Sequence, residues 1–434
     1  MKIKLWFNFL LFSIITFLSF SCTTIRDYSE VYEELDLANY DIAYEQLEEK
    51  KEQIYTEKDE LLYSLDSGIL AHYNKNYAES NEKLSYAERL IEVYYAKSIS
   101  QGVLSFFSND NIQDYSGEEY EDIYSNLFMA LNYIHLGQTE DAFVEIRRFD
   151  NKQKSLSVKY SEEIAYAKSQ TDGALDATIQ FNNSALARYV SLILYRSINQ
   201  LDSAEVDRKK IAEAYKTQSA LYPFEIPLAV DEEFDIPRDM ARLNIISFVG
   251  LAPVKIEQRL EPFSIHSDIF FTIALPEMLK RGTKIDAISV SIFGEDNSSY
   301  LESMEKIESI ENIAFDTFRQ NKSLIYSKAL IRSISKSVVS SSLDFLAEQN
   351  EDSGLELLAY ASKIWNVATE FADLRTSQFF PAEAYIGGVN LPEGKYLVQV
   401  KYLDKHGRML YEEVFENVEV SKNRLNLVET LCVK

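Results

Sequence analysis

The densest group of reactive side chains in the sequence is the acidic run SGEEYED at residues 116–122. A glycoside hydrolase needs two carboxylates, one as proton donor and one as base or nucleophile. Glu118 and Asp122 lie four residues apart and would share one face of a helix, where they could also attract a cation. The run lacks the D-x-[DN]-x-[DN]-G pattern of an EF-hand calcium loop. We favour a simpler interpretation, in which these acids begin a helix and are stabilised by its dipole.

Histidine, the commonest general base, is scarce. The four histidines, His72, His135, His266 and His406, are scattered, with no HExxH motif and no pair at helical spacing. A zinc hydrolase is therefore not predicted, and each histidine is interpreted as a surface or packing residue. The patterns GxSxG, GxxxxGK[ST] and GxGxxG are also absent. The sequence thus predicts no catalytic residue, no bound metal, no cofactor and no nucleotide site.

Basic residues stand out because the chain has few. Lys328, Arg332 and Lys336 follow one another at four-residue steps on a predicted helix. They either form a solvated face paired with neighbouring acids or bind an anionic group of the cell envelope. Arg147 and Arg148 are expected to fasten one helical unit to the acids of the next as structural ion pairs.

The overall composition limits the class of protein. The 434 residues are 46% hydrophobic and 13% aromatic, which is enough for a large core in two or three domains. Acidic residues outnumber basic ones by 69 to 44, and the formal charge is -25. We do not expect the protein to bind nucleic acid, because phosphate recognition needs clustered positive charge. Basic partners or cations are favoured instead.

The N-terminus has the three parts of an export signal. Lys2 and Lys4 precede an apolar stretch from Leu5 to Leu18, and small residues follow. This stretch is too short to span a bilayer, which takes about 20 apolar residues. We therefore predict a signal peptide at residues 1–21 and a tether at 22–29.

Cys22 follows the small-x-small sequence Ser19-Phe20-Ser21. The junction resembles the lipobox of bacterial lipoproteins, whose cysteine receives a diacylglycerol and becomes the first mature residue. Leu18 sits one position earlier than in the usual pattern, as in some spirochaete lipoboxes. Cys22 is thus the predicted lipidation site, and cleavage without lipid is the alternative. The other cysteine, Cys432, is expected to be a buried small hydrophobe, so no disulfide framework is predicted.

Residues 30–220 are predicted to form a helical domain. Proline is absent between Cys22 and Tyr222, and apolar residues recur at three- and four-residue spacing. The segment NLFMALNYIHLGQTEDAFVEIRRF resembles a tetratricopeptide repeat, with Gly137 at the turn between its two helices. Small residues at equivalent positions of four such units lie 37, 62 and 62 residues apart, which requires insertions. They are Ala43, Ser80, Ala142 and Ala204.

A helical array of this kind commonly presents a concave binding surface. Tyr40, Tyr77, Tyr133 and Tyr195 occupy helix positions from which the hydroxyl could reach such a groove. The predicted ligand is a basic or aromatic-rich extended segment of an envelope protein or peptide. In the alternative, the array is a rigid spacer.

The second half of the chain is predicted to be rich in strands. Three prolines between residues 221 and 239 suggest a linker, and PVKIEQRL and DAISVSIF alternate as half-exposed strands do. Residues 391–420 predict a hairpin that turns at Gly407. Residues 240–434 should therefore form a mostly antiparallel, sandwich-like domain with a helical insert at about 305–373. The predicted fold class is α + β, multidomain.

The order of four segments resembles a family of uncharacterised bacterial lipoproteins with tetratricopeptide-like N-terminal halves. The segments are DYSGEEYEDIYSNLFMALNYIHLGQTEDAFVEIRRFD, GLAPVKIE, EFADLRTSQFFPAEAYI and LPEGKYLVQV. This resemblance implies an envelope lipoprotein and transfers no catalytic residue. We therefore expect a non-enzymatic scaffold exported to the outer membrane of a diderm bacterium, at its periplasmic face or the cell surface. The alternative is a carboxylate-dependent hydrolase acting on envelope glycan or peptide.

Overall fold

The computed structural model describes residues 26–101, 113–159, 180–266, 269–319, 322, 325 and 372–434. Helices occupy the first part of these residues and strands the second, so the chain is an α + β protein, as predicted. The predicted signal peptide, Cys22, His266 as a side chain, and the basic series Lys328, Arg332 and Lys336 lie outside what is described. Within the described residues, no helix is both long enough and apolar enough to cross a membrane.

Ten helices are labelled here in chain order. They are α1 (Ser29–Asp36), α2 (Tyr40–Glu49), α3 (Lys51–Ile54), α4 (Glu60–Tyr73), α5 (Tyr77–Gln101), α6 (Glu119–His135), α7 (Thr139–Lys159), α8 (Ala185–Ser197), α9 (Leu201–Thr217) and α10 (Leu228–Glu232). Four pairs pack as helical hairpins: hairpin I is α1 with α2, hairpin II is α4 with α5, hairpin III is α6 with α7, and hairpin IV is α8 with α9.

The four hairpins share one turn. Each has a three-residue connection whose middle residue has a positive φ, and these residues are Ala38, Lys75, Gly137 and Asn199. The amide of the next residue donates to the carbonyl five residues earlier, in the preceding helix. An example is the hydrogen bond from Gln138 N to Tyr133 O at 2.8 Å. This is the Schellman arrangement, which satisfies carbonyls at the end of a helix. The four small residues identified from the sequence are completely buried, which lets the two helices of each hairpin pack closely.

Ion pairs join hairpin II to hairpin III. Arg148 lies 2.8 Å from Glu88 of α5, and Lys152 bridges Glu88 at 2.9 Å and Asp122 at 2.6 Å. The prediction that Arg148 fastens neighbouring helical units is therefore confirmed. Arg147 is exposed.

In the part of the chain that the structure describes, ten strands form three sheets. The strands are β1 (Ala241–Val249), β2 (Val254–His266), β3 (Ile269–Leu279), β4 (Ala287–Gly294), β5 (Ser299–Ser303), β6 (Glu305–Ser309), β7 (Glu383–Leu391), β8 (Gly394–Leu403), β9 (Met409–Val420) and β10 (Asn426–Cys432). The inner sheet has the order β10-β1-β7-β6 and the outer sheet β5-β4-β8-β9, while β2 and β3 form a separate hairpin. The pair β1–β10 is parallel and the remaining pairs are antiparallel.

The inner sheet is the middle layer. β1 is buried along its whole length, because Ile246 and Phe248 belong to the core shared with the helices. Leu243 and Ile245, on its other face, join Val290 of the outer sheet in a second core. The helices and the inner sheet therefore share one hydrophobic core, and a second core lies between the inner and outer sheets. Cys432 is buried in the second core, as predicted, and burial raises the pKa of its thiol to about 11.

Two boundary predictions need correction. The segment 221–239, predicted as a linker, contains α10 and buries Tyr222, Val230 and Glu233, so it is packed against both halves. The predicted helical insert at 305–373 begins instead with strand β6, which pairs with β7, and helical residues follow at 310–319. The prolines of residues 221–239 predicted a linker, and the apolar residues of 305–373 predicted a helical insert. In both segments, packing against the rest of the fold determined the structure instead.

Candidate functional site

The most elaborate polar site in the described chain surrounds an extended segment, residues 372–380, which we call the strap. The strap joins the undescribed residues before it to the inner sheet, and it lies against α4, α6 and β2. Its residues have no regular secondary structure. Their backbone groups must therefore find partners outside any helix or sheet.

Two buried carboxylates hold the backbone of the strap. Glu121 of α6 accepts hydrogen bonds from Ser377 N at 2.6 Å and Thr376 Oγ1 at 2.9 Å. Asp66 of α4 accepts from Gln378 N at 2.8 Å and Ser377 Oγ at 2.7 Å. Both carboxylates are completely inaccessible to solvent. Adjacent helices thus bind adjacent amides of an extended chain, which is how a peptide is recognised through its main chain.

The carboxyl end of the strap is held by donors. Tyr73 Oη donates to Phe379 O at 2.7 Å, and Arg281 Nη2 donates to Gln378 O at 2.5 Å. The ring of Phe380 packs edge-on against Phe128, with centroids 5.8 Å apart. Phe379 also packs against Tyr28, with centroids 5.8 Å apart, so main-chain hydrogen bonds and two aromatic side chains fix this end.

An arginine holds the amino end of the strap. Arg375 pairs with Asp373 at 2.7 Å and reaches Asp59, at the start of α4, at 3.5 Å. Arg26, the first described residue, binds the same Asp59 oxygen at 2.8 Å. The chain's N-terminal segment and the strap therefore converge at one carboxylate.

Burial changes the protonation of these acids. It raises the pKa of Asp66 to about 6, although hydrogen bonds from Ser377 and Gln378 oppose the shift. It also raises the pKa of Glu121, against hydrogen bonds from Glu118 N and Tyr115. The pKa of Glu118 rises to about 7 through burial, opposed by Lys255. The three buried carboxylates are structural hydrogen-bond acceptors. Removing one would leave its buried donors without a partner, which is costly away from water.

The acidic run does begin a helix, as we favoured. Glu118 precedes α6 and forms a capping box with Glu121. The carboxylates then diverge to different elements: Glu118 pairs with Lys255 of β2, Glu121 binds the strap, and Asp122 pairs with Lys152. Nothing in the sequence pattern indicated that these acids would be buried between layers.

A second polar cluster, which we call the histidine clamp, joins the helices to β10. Glu429 accepts from His72 Nε2 at 2.5 Å and from His135 Nε2 at 2.8 Å. The ring of His135 stacks on Tyr77 with centroids 4.4 Å apart. Both histidines are packing residues, as interpreted, since His72 packs on Phe128 and His135 on Tyr77. The sequence did not indicate that the fold brings both of them to one carboxylate. His406 lies in the predicted turn between β8 and β9.

The protonation of His72 follows from its other neighbour. Asn132 Oδ1 lies 2.6 Å from His72 Nδ1, and the Asn132 amide nitrogen donates to Ser80 and Asn81, which fixes its orientation. His72 Nδ1 must therefore carry a proton. The ring can donate to Glu429 through Nε2 only when it carries a second proton. Glu429 accordingly raises the pKa of His72, against burial, and the two histidines lower that of Glu429.

The structure places the four predicted groove tyrosines in different surroundings. Tyr40 Oη donates to Leu431 O of β10 at 3.0 Å, and Tyr77 packs in the histidine clamp. Tyr133 and Tyr195 pack against the helical core, the latter on Phe143. The groove prediction is wrong for Tyr40 and Tyr77, which lie against β10 of the inner sheet. Tyr133 and Tyr195 are half-buried beside the helical core.

The fold and its two polar clusters define a class of protein in which helical hairpins enclose a segment of their own chain. No protein-family model matches the chain. No curated protein and no solved structure matches it either. Among the described residues, no group of His, Cys, Asp and Glu has an arrangement that could hold a metal ion.

Proposed function

We propose that this chain is a non-enzymatic, lipid-anchored scaffold of a bacterial cell envelope, with a tetratricopeptide-like helical array. The observation that carries the proposal is the strap, which the array holds through main-chain amides as it would hold a peptide. Because the chain itself fills this groove, the array serves to carry the strand-rich half. Envelope partners then bind elsewhere, on the strand-rich half itself.

The outer sheet offers a surface for such a partner. Its buried residues Ile288, Val290 and Ile292 alternate with outward-facing ones, as in a sheet packed on one side. Phe293, Leu301 and Val414 are 42%, 75% and 45% exposed, and the strand register places them on the outward face. Large apolar side chains on one solvated sheet face favour protein contact.

In-cell photo-crosslinking tests this surface. A photoreactive amino acid at Leu301 or Val414 should yield a defined crosslinked envelope protein, and Phe293→Asp should reduce that product. The matched control is Val206, an apolar residue of α9 that is 51% exposed. Equal products from Val206 and the outer sheet would contradict a specific binding face.

The lipid anchor is tested separately. We expect mass spectrometry of the mature protein to find an acylated Cys22 at the N-terminus, since the preceding sequence resembles a lipobox. Cys22→Ala should release the protein from membranes into the soluble fraction. A mature chain that begins with unmodified Cys22 would refute the anchor.

The alternative, an envelope hydrolase, gains no support from the carboxylates. Glu118, Glu121 and Asp122 each bind a different element of the fold, so no two of them face one substrate position. A glycosidase needs two carboxyl groups flanking the same bond. The raised pKa of Glu118 follows from burial beside Lys255, which is a structural contact.

A further inference from the structure

We propose that the strap and the chain's N-terminal segment open as one unit, so that displacing that segment frees the strap. The segment is residues 26–32, which we call the latch. It comprises the three described residues before α1 and the first turn of that helix. The proposal rests on the contacts that its side chains make with the strap and with the partners of the strap.

Tyr28 and Tyr32 of the latch pack on one ring of the strap. The Phe379 centroid lies 5.8 Å from that of Tyr28 and 5.9 Å from that of Tyr32. Phe379 is completely buried, and Tyr28 is 7% exposed. Displacing the latch would therefore uncover the Phe379 ring, and withdrawing Phe379 would uncover the Tyr28 ring. Because exposed apolar area is unfavourable in water, each movement makes the other easier.

Hydrogen bonds join the same two segments. Tyr32 Oη donates to Gln378 Oε1 at 2.7 Å. Arg281, just after β3, donates to Tyr32 Oη at 3.0 Å and to Gln378 O at 2.5 Å. Opening either segment breaks the bond between Tyr32 and Gln378, so the second segment opens without that cost. This is the condition for cooperative opening of a local unit.

The latch is the part of the described chain nearest to Cys22. Residues 26–28 have no regular secondary structure, and Arg26 is held through its side chain, 2.8 Å from Asp59. Residues 23–25 separate Arg26 from Cys22. On the proposed lipid anchor, on which this step rests, movement of the fold away from the bilayer acts first on the latch. The strap leads into β7, so a change at the anchor would reach the inner sheet.

Hydrogen exchange, resolved to single amides by mass spectrometry with fragmentation, tests the coupling. Local opening exposes the amides of Ser377 and Gln378, whose exchange reports how often the strap leaves its acceptors. Tyr32→Phe keeps the ring and removes the hydroxyl, and it should speed exchange of these amides about fivefold. Exchange in α9, which belongs to hairpin IV, should stay unchanged.

The matched control is Tyr44→Phe, which removes a tyrosine hydroxyl from the same helical hairpin as Tyr32. Tyr44 Oη donates to Glu79 of α5 at 2.5 Å. This control should change exchange of the strap amides by less than about twofold. Unchanged exchange of the strap amides in Tyr32→Phe, or an equal rise in the strap and in α9, would overturn the proposal.

The converse variant is Thr376→Val, which removes a strap hydroxyl that donates to Glu121, a partner outside the latch. If the two segments open as one unit, exchange of the Tyr32 amide, which donates to Tyr28 O at 2.9 Å, should rise by the same factor as that of the strap amides. A rise in the strap alone would refute a common opening. The chain beginning at Cys22 is used without lipid, so these results do not depend on the anchor. Acylation of Cys22, measured by mass, tests the anchor alone.

Discussion

Replacing Glu121 with glutamine is expected to destabilise the folded chain by about 3 kcal/mol, because two of its four buried donors lose their acceptor oxygen. The carboxylate accepts from four groups, two on the strap and two before α6: Ser377 N, Thr376 Oγ1, Tyr115 Oη and Glu118 N. An amide at this position has one acceptor oxygen, and its nitrogen would face donors. Urea unfolding at neutral pH measures the loss.

The matched control is Glu82→Gln, a change of the same type on the exposed side of α5. It should alter the unfolding free energy by less than about 0.5 kcal/mol. A loss of equal size in both variants would show that the buried contacts of Glu121 contribute nothing specific.

A second measurement separates release of the strap from general destabilisation. The Arg375 side chain is buried, so trypsin should cleave after it slowly in the native protein. Glu121→Gln should speed that cleavage. Ile292→Ala removes apolar volume from the core between the two sheets and should cost about 2–5 kcal/mol. If it accelerated cleavage after Arg375 equally, the strap would have no local dependence on Glu121.

The local structure was largely predictable from the sequence. Apolar spacing and the absence of proline indicate helices before Tyr222, and the alternation around Val290 indicates a strand buried on one side. The turn at Gly137 was identified because glycine favours the left-handed conformation. Lys75 adopts the same conformation without such a signal. There, the context of the hairpin overrides residue preference.

The polar sites were not predictable, because they depend on contacts across the whole chain. Glu121 and Ser377 are 256 residues apart, and His72 and Glu429 are 357 apart. Nothing in an acidic run distinguishes the carboxylate that will be buried from those that remain at the surface. The groove prediction failed at two tyrosines for a related reason: helical periodicity defines an apolar face but does not say which partner covers it.

The histidine clamp should make stability depend on pH in a defined window. The pKa of His72 is raised in the folded chain, so its contribution is complete below about 6.5 and is lost as the pH rises through the folded value. The pKa of Glu429 is lowered, so its contribution is complete above about 4.5 and is lost as the pH falls through the folded value. The clamp therefore contributes most between these two limits.

Several charged or titratable groups surround Glu429. They are His72 and Tyr73 of α4, Tyr77 of α5, His135 of α6, Glu413 of β9 and Lys75, which pairs with Glu413. Asp66 and Glu118, whose pKa values are raised to about 6 and about 7, also destabilise the fold as the pH rises. The effect of the clamp must therefore be measured as a difference between the native chain and a variant.

Glu429→Gln is expected to cost about 3–5 kcal/mol at pH 5.5, because it leaves the charged imidazole of His72 buried without its carboxylate. As the pH rises toward 9, through the folded pKa of His72, that ring loses its charge and its hydrogen bond to Glu429, and the cost should fall to about 1 kcal/mol for the hydrogen bond from His135. Urea unfolding of both proteins at the two pH values measures this change. A cost that is the same at pH 5.5 and pH 9 would show that the clamp is held by neutral hydrogen bonds. The geometry opposes that result, because His72 Nδ1 already donates its proton to Asn132 and a neutral ring would turn a lone pair toward Glu429.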